Sequence, residues 1–530
     1  MGLPMRCQIR PAVLLPFLLL LWGAPPLQGQ EVTARGVVYA DLNQNGSRDA
    51  GEPGLAGILV SNQREVVRTG VDGSFALPVE PGMVVYVHQP PDHRVPVDAL
   101  NLPRFSYVHE PQGSPPLRHG GMYATGPLPD RLEFGLIPAE KELDFQVVIF
   151  GDPQPRDHRE VDFIRDDAVG EIAGTGAAFA LVLGDAMYDD LSLFPRYNQM
   201  MAAMGMPLWN AVGNHDIDFD AGGNRHGRDT FRSQFGANHY SFEYGDVLFL
   251  MLDNIDYLGY NDVGRRSYRG MLREQQLQWI GNVLREVPED RLVVLGMHIP
   301  LFAWGGETPN VNTGDREELF RILSGRRVLA LTGHIHMIYH HLLGEEVGWS
   351  GPYPFHQLTA ATLSGTWWGG PEDERGIPVA TQRDGTPNGY HLLTFQGTHY
   401  RERFKGLGFD ADAQLRVEFP AGEVAADSIR GRDLLVNVFS GSSGNVVEAQ
   451  VNGGPWFPLE NTTGPSPFFE ELLTTRPETF GENITAIPTN HLWRGSIPEE
   501  LLEPGVHRIR VRTVDLYGVL HEGSGVVEVR

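Results

Sequence analysis

Cysteine is almost missing from these 530 residues: the one present, Cys7, stands within the first ten. Lysine is nearly as scarce, since only Lys141 and Lys405 contribute to a basic total of 42, against 67 acidic residues and a formal charge of -25. Each shortage excludes something. A chain this acidic lacks the electrostatic footprint of a nucleic-acid-binding surface. A lone cysteine provides neither a disulfide framework nor a thiolate metal site. Long apolar runs are lacking too, apart from Pro11 to Trp22, which follows Arg6 and Arg10 and gives way to small and polar residues as far as Gln30. That run is short for a bilayer crossing and reads as the apolar centre of a cleaved export signal over residues 1–29. Cys7 precedes the run, where a lipid-attachment cysteine would follow it. A secreted or periplasmic protein without a membrane anchor, and after cleavage without any cysteine, is therefore expected.

What is present is ordinary globular material, 41% hydrophobic and 21% charged, in a chain too long for one core. Residues 30–140 are rich in Gly, Pro, Val and Thr, with short alternating runs such as Thr33 to Ala40 and Met83 to Val87 that predict a small β-sandwich of immunoglobulin or prealbumin type. From about 141 to 345 apolar runs recur with helical stretches between them: Phe145 to Phe150, Phe179 to Leu183, Leu208 to Val212, Leu292 to Met297 and Val328 to Leu331. That alternation predicts an α/β layered domain. Within it, Leu277, Ile280, Leu284 and Val287 mark a helix from Arg273 to Val287. Residues 346–530 return to short β-like runs and Gly-rich turns, and predict a third, mainly β domain.

Five polar motifs follow the central apolar runs directly: Gly151-Asp152-Pro153-Gln154, Gly184-Asp185, Gly213-Asn214-His215-Asp216, Met297-His298 and Gly333-His334-Ile335-His336. Ligands of open α/β sheets bind at strand ends, and glycine lets the chain turn sharply there. Asp, Asn, Gln and His without Cys make a ligand set suited to Mn, Fe or Zn. Two divalent ions held close together clamp phosphate oxygens and activate water, and a shared carboxylate offsets their repulsion, a role open to Asp185 but not to Asn214.

The order of these motifs resembles the calcineurin-like metallophosphoesterase superfamily, whose blocks run Asp-x-His, Gly-Asp, Gly-Asn-His-Asp/Glu, His and Gly-His-x-His. The resemblance covers roughly residues 145–345 and implies two packed mixed sheets flanked by helices. It implies that Asp152, Asp185 and His336 hold one divalent metal, and that Asp185, Asn214, His298 and His334 hold the other. His215 would be no ligand but the acid that protonates the leaving oxygen. Gln154 stands where much of the family has His. It is the favoured oxygen ligand because Pro153 fixes its turn; Tyr188, at the offset of the tyrosine ligand of purple acid phosphatases, is the alternative. Asp189, Asp190, Asp218 and Asp220 read as solvated acids, with Asp216 or Asp218 the candidates for orienting His215. His340, His341, His356, Trp367 and Trp368 have no diagnostic spacing.

In the leading segment, Asp41, Asn43, Asn45, Asp49 and Glu52 fall at positions 1, 3, 5, 9 and 12 of a Ca²⁺-loop pattern with Gly46 at its turn. A structural Ca²⁺ is expected there, the metal-free alternative being an Asn/Gly-rich turn. The stretch from Gly365 to Tyr390 resembles the start of the C-terminal region of bacterial exported three-domain phosphoesterases. The expected activity is hydrolysis of a small phosphate mono- or diester. A nucleotide or sugar pyrophosphatase, and a non-catalytic surface or carbohydrate-binding protein with a degraded site, are the rival readings.

Overall fold

The strand Asp144–Phe150 shows how the central layers form: Val147 and Ile149 face one apolar core while Val148 and Phe150 face another. Alternation of side chains across a strand buried on both faces explains the unbroken apolar run. This strand lies in the middle of a five-stranded sheet ordered Leu208–Asn210, Phe179–Val182, Asp144–Phe150, Gly389–Gln396, His399–Gly406. A six-stranded sheet packs on it, ordered Tyr240–Tyr244, Val247–Met251, Leu292–Gly296, Arg327–Thr332, Phe355–Thr359, Tyr339–Leu343. Phe179 meets Phe249 edge-on between the two layers, ring centroids 5.4 Å apart. Helices His158–Ile164 and Phe194–Met201 cover the outside of the first sheet. Helices Arg273–Glu286 and Arg316–Leu323 cover the second, and the former buries Leu277, Ile280 and Leu284 as their spacing predicts. The mixed sheets with flanking helices agree with the sequence-based expectation of fold class.

This computed structural model describes residues 32–303, 308–420 and 422–530, together with Gly2; the export signal expected over 1–29 otherwise lies outside the described residues. Among the described residues no helix is long and apolar enough to cross a membrane.

One boundary moves. The sequence suggests that the central unit ends near 345, yet Gly389–Gln396 pairs antiparallel along Asp144–Phe150, with His391 opposite Ile149 and Phe395 opposite Phe145. Phe355–Thr359 runs parallel to Arg327–Thr332. The hydrogen-bonded sandwich therefore continues to Gly406, and the last sheet begins at Leu415. Pairing between strands so distant in sequence leaves no local pattern to read.

The two β-rich flanks attach differently. The leading one has two four-stranded sheets between Val32 and Pro138. Its Phe105 packs on Trp209 and Tyr240 of the sandwich, at 5.2 and 4.9 Å between centroids, so one apolar core runs through both. The trailing flank, an eight-stranded sheet with the helix Pro467–Thr475, buries its own core around Leu434, Trp493 and Val511. Polar bonds and a few aromatic contacts tie it to the sandwich: His491 Nε2 lies 3.2 Å from Asp384 Oδ2, Asn437 Nδ2 donates to Asp384 O at 3.0 Å, and Phe439 packs on Phe404 at 6.2 Å between centroids.

Candidate metal centre

All five motifs lie just past the C-terminal ends of sandwich strands, on one edge of the two sheets. Five of the seven residues expected as ligands, Asp152, Gln154, Asp185, His334 and His336, have left-handed backbone, with φ between 41° and 78°. Non-glycine residues rarely adopt that region, and the strain of order 1–3 kcal/mol each persists only where surrounding structure imposes it. Glycine serves here less for turning than for closeness. A Cβ on Gly213 would fall 2.0 Å from Asp185 Oδ1, and one on Gly333 would fall 2.6 Å from Asp152 Oδ2.

The side chains then converge lone pair to lone pair. His298 Nδ1 is engaged by Leu183 O at 2.9 Å, which in a neutral ring leaves Nε2 as an acceptor. That Nε2 lies 3.1 Å from Asn214 Oδ1, 3.2 Å from Asp185 Oδ2 and 3.1 Å from His334 Nδ1. His334 donates through Nε2 to Asn310 O at 2.9 Å, so its Nδ1 is an acceptor too. Asp185, His298 and His334 form one of two groups of His, Asp and Glu whose ligand atoms lie within 4.8 Å of one another among the described residues. Four acceptors meeting at one point are stable only around positive charge. Without a cation, a proton on His298 meets that demand. Burial alone would depress His298, but Asp185 and Asp152 raise it to about 9. Burial and the neighbouring His298 push His334 down to about 3. Burial opposes ionisation of Asp185, yet His298 and His215 hold its carboxyl well below the usual carboxylate range.

Beside this point lies a second set. Asp152 Oδ1 and Gln154 Oε1 are buried without a hydrogen-bond partner, and His336 Nε2 lies 3.6 Å from Asp152 Oδ1. His336 Nδ1 is engaged by the Gly365 carbonyl, which turns Nε2 toward the carboxylate. Gln154 Nε2 donates to Asp185 Oδ2 at 2.7 Å, linking the two sets. Burial pushes Asp152 up to about 7. Orphaned buried oxygens beside an imidazole lone pair fit a divalent cation, and the set offers no thiolate that would select a soft one.

His215 stands apart from both sets. Its main-chain N–H donates to Asp185 Oδ1 at 2.8 Å, while its Nδ1 lies 2.6 Å from Asp189 Oδ1. Asp189 is in turn gripped by Arg266 at 2.6 Å, and the Arg266 guanidinium lies 4.1 Å over the Phe219 ring. Burial depresses the His215 imidazolium, but Asp185 and the bonded Asp189 outweigh it and raise the group above the ordinary histidine value. Asp189 was expected to be a solvated acid; the structure makes it the residue that orients His215. Asp216 instead accepts the main-chain N–H groups of Gly213, Ala186 and Met187, and Asp218 accepts from Thr230. Tyr188 stacks on the His215 ring at 4.5 Å between centroids, whereas Gln154 is the buried neighbour of Asp185.

Several contributors gave no sequence signal: the Gly365, Asn310 and Leu183 carbonyls, and Trp367, whose ring lies 4.0 Å from that of His336. A cleft of about 380 Å³ opens beside Asn214 and His215, walled by Phe219, Tyr260, Arg265 and Tyr268. His340 and His356 lie elsewhere, bonded to each other at 2.9 Å.

In the leading domain, Asp41 is fully buried and accepts the N–H groups of Asn45 and Gly46; Asn43 and Asn45 donate to Asp49 Oδ2, and Glu52 accepts from Leu42 and Asp49. These are the oxygens expected around a cation, here engaged within the loop.

Residues 357–520 match the family described as the C terminal of calcineurin-like phosphoesterase. No curated protein sequence matches this chain significantly. Among solved structures, a purple acid phosphatase from yellow lupin (Lupinus luteus) seeds is similar over 71% of this chain and 66% of its own, just under two thirds, with 12% identity and a TM-score of 0.35. An endo-β-1,4-mannanase from Thermotoga petrophila is similar over 74% of this chain and 98% of its own, with 11% identity and a TM-score of 0.26. A mannanase and a phosphatase at comparable levels show that these two likenesses decide nothing by themselves.

Proposed function

We propose that this chain, a calcineurin-like metallophosphoesterase, hydrolyses small phosphate mono- or diesters with two divalent cations, of Mn, Fe or Zn type, at its strand-end centre. The observation that carries this reading is the meeting of acceptors around His298 Nε2, with the orphaned oxygens of Asp152 and Gln154 beside it. Asp152, Gln154, Asp185 and His336 would hold one ion, and Asp185, Asn214, His298 and His334 the other. Bound there, the pair would supply Lewis-acid polarisation of the phosphoryl group and activation of water.

The chain's own residues do the rest. His215 protonates the departing oxygen from Nε2, which has no partner among the described residues, while Asp189 holds Nδ1 and so fixes the tautomer and the ring plane. Arg266 keeps Asp189 in place. Trp367 and the Gly365 carbonyl fix the His336 ring. We further read the leading loop as a structural Ca²⁺ site and the N-terminal segment as an export signal. Metal analysis of the purified protein tests the central reading: about two transition-metal ions per chain are expected, with turnover of an aryl phosphate lost on chelation and restored by Mn, Fe or Zn. A metal-free chain that cannot be reconstituted would refute it.

A further inference from the structure

The leading β-domain and the sandwich enclose a cleft of about 520 Å³ lined by none of the metal-centre residues. In a strongly acidic chain, its lining is basic: five arginines, Arg64, Arg225, Arg228, Arg232 and Arg273, against two carboxylates, Glu80 and Asp253. Three of the five have a carboxylate of their own. Arg64 pairs with Glu80 at 3.3 Å, Arg225 with Glu110 at 2.7 Å, and Arg228 grips Asp253 with two bonds of 2.9 and 3.0 Å.

The other two are paired only at longer range. Arg232, whose side chain is 11% exposed, gives its hydrogen bonds to neutral acceptors, Asn238 Oδ1 at 3.0 and 2.9 Å and Gly82 O at 3.3 Å; its nearest carboxylate oxygen, on Asp229, is 3.8 Å away. Arg273 makes no hydrogen bond through its guanidinium among the described residues and lies 3.7 Å from Asp253 Oδ2, an oxygen already taken by Arg228. The two are close, since Asn238 accepts from Arg232 and donates to Asp253 at 2.8 Å. His239 in the same wall has a buried Nδ1 without a partner. Burial pulls the Arg232 guanidinium down to about 10 and that of Arg273, whose side chain is 33% exposed, below its usual value, against the pull of the nearby carboxylates.

Guanidinium groups whose nearest carboxylate oxygens lie beyond hydrogen-bond distance can take up a tetrahedral oxyanion, which an arginine binds in bidentate fashion. We propose that this cleft binds the phosphate group of a phosphorylated small molecule, with Arg232 and Arg273 as its ligands. The site is distinct from the metal centre and does not depend on the phosphoesterase reading.

Calorimetric titration of the full chain, stripped of metal so that the strand-end centre is silent, tests it with orthophosphate as the probe at constant ionic strength. One phosphate per chain is expected. Affinity should fall by about tenfold or more in Arg273→Gln, the worth of one charge-assisted contact, and further in Arg232→Gln. Asp185→Asn should leave it unchanged. Arg273→Gln is the decisive variant should Arg232→Gln misfold, because its guanidinium makes no hydrogen bond among the described residues and only a 3.7 Å ion pair with Asp253. Absence of binding to the metal-stripped chain, equal affinity in Arg273→Gln, or loss of binding in Asp185→Asn would each overturn the proposal.

Discussion

Two buried clusters in this protein are mirror images in charge. At the strand ends, oxygens and imidazole nitrogens face one another with too few protons between them. In the cleft under the leading domain, five guanidinium groups gather, two of them with their nearest carboxylates beyond hydrogen-bond distance. Both carry the same lesson: a fold tolerates unbalanced polar groups in its interior only where something outside the fold balances them. They differ in how they are built. The first is made by the strand ends of one sandwich, from residues that stand beside apolar runs in the sequence. The second is assembled from four separate stretches, around 62–83, 224–239, 253 and 272–276, across a domain interface.

The largest effect should come from removing the shared carboxylate of the first cluster. Asp185→Ala is expected to abolish metal retention and to lower kcat/KM by about 10³-fold or more, read by metal analysis and an aryl-phosphate assay. Next, His215→Ala should keep the metals while kcat falls by about 10²- to 10⁴-fold; loss of metal in this variant would make His215 a ligand instead of an acid.

On the opposite side of the comparison, Asp253→Ala leaves Arg228 buried without its partner and should destabilise the chain by about 3–5 kcal/mol in thermal or denaturant unfolding. The pH dependence has a definite sign. Burial opposes ionisation of Asp253, but Arg228 and then Arg273 hold its carboxyl well below the usual range in the fold. Its stabilisation is thus complete above the unfolded value of about 4 and is lost as the pH falls through the acid range. Asp253→Asn should flatten that acid limb, and an unchanged limb would place the acid sensitivity elsewhere.

Asp189→Asn is expected to cost less than loss of His215, about ten- to a hundredfold in kcat with KM and metal content kept, and to shift the basic limb of the pH–rate profile downward. The smallest effect is expected from the loop of Asp41, Asn43, Asn45, Asp49 and Glu52. Added Ca²⁺ should raise the melting temperature of the full chain by a few degrees, and Asp49→Ala should remove that rise.

The site was legible where chemistry and local pattern coincide. Asp152, Asp185, Asn214, His298 and His334 each follow an apolar strand and a turn, so the sequence alone puts them on one edge. Asp189 was not, because an acid among Tyr188, Asp189 and Asp190 in a loop looks like any solvated acid; only the loop's fold brings it to His215 Nδ1. The sandwich beyond 345 was hidden for a similar reason, since Gly389–Gln396 finds its partner only after the chain has returned to Asp144–Phe150. The loosely paired arginines leave no motif at all: nothing near Arg232 or Arg273 in sequence marks their carboxylates as lying beyond hydrogen-bond distance.

The packing of Phe105 against Trp209 and Tyr240 bears on the order in which the chain can mature. Synthesis delivers the leading β-domain first, while the aromatic surface that seals it is still unmade. Until the segment through Tyr240 has emerged, Phe105 has partners only within its own domain, such as Tyr86, and the leading domain gains its full cooperativity only together with the sandwich. The trailing domain, with Trp493 enclosed by its own strands, can complete its core independently. Calorimetry should then resolve one transition for the first two regions and a separate one for the last.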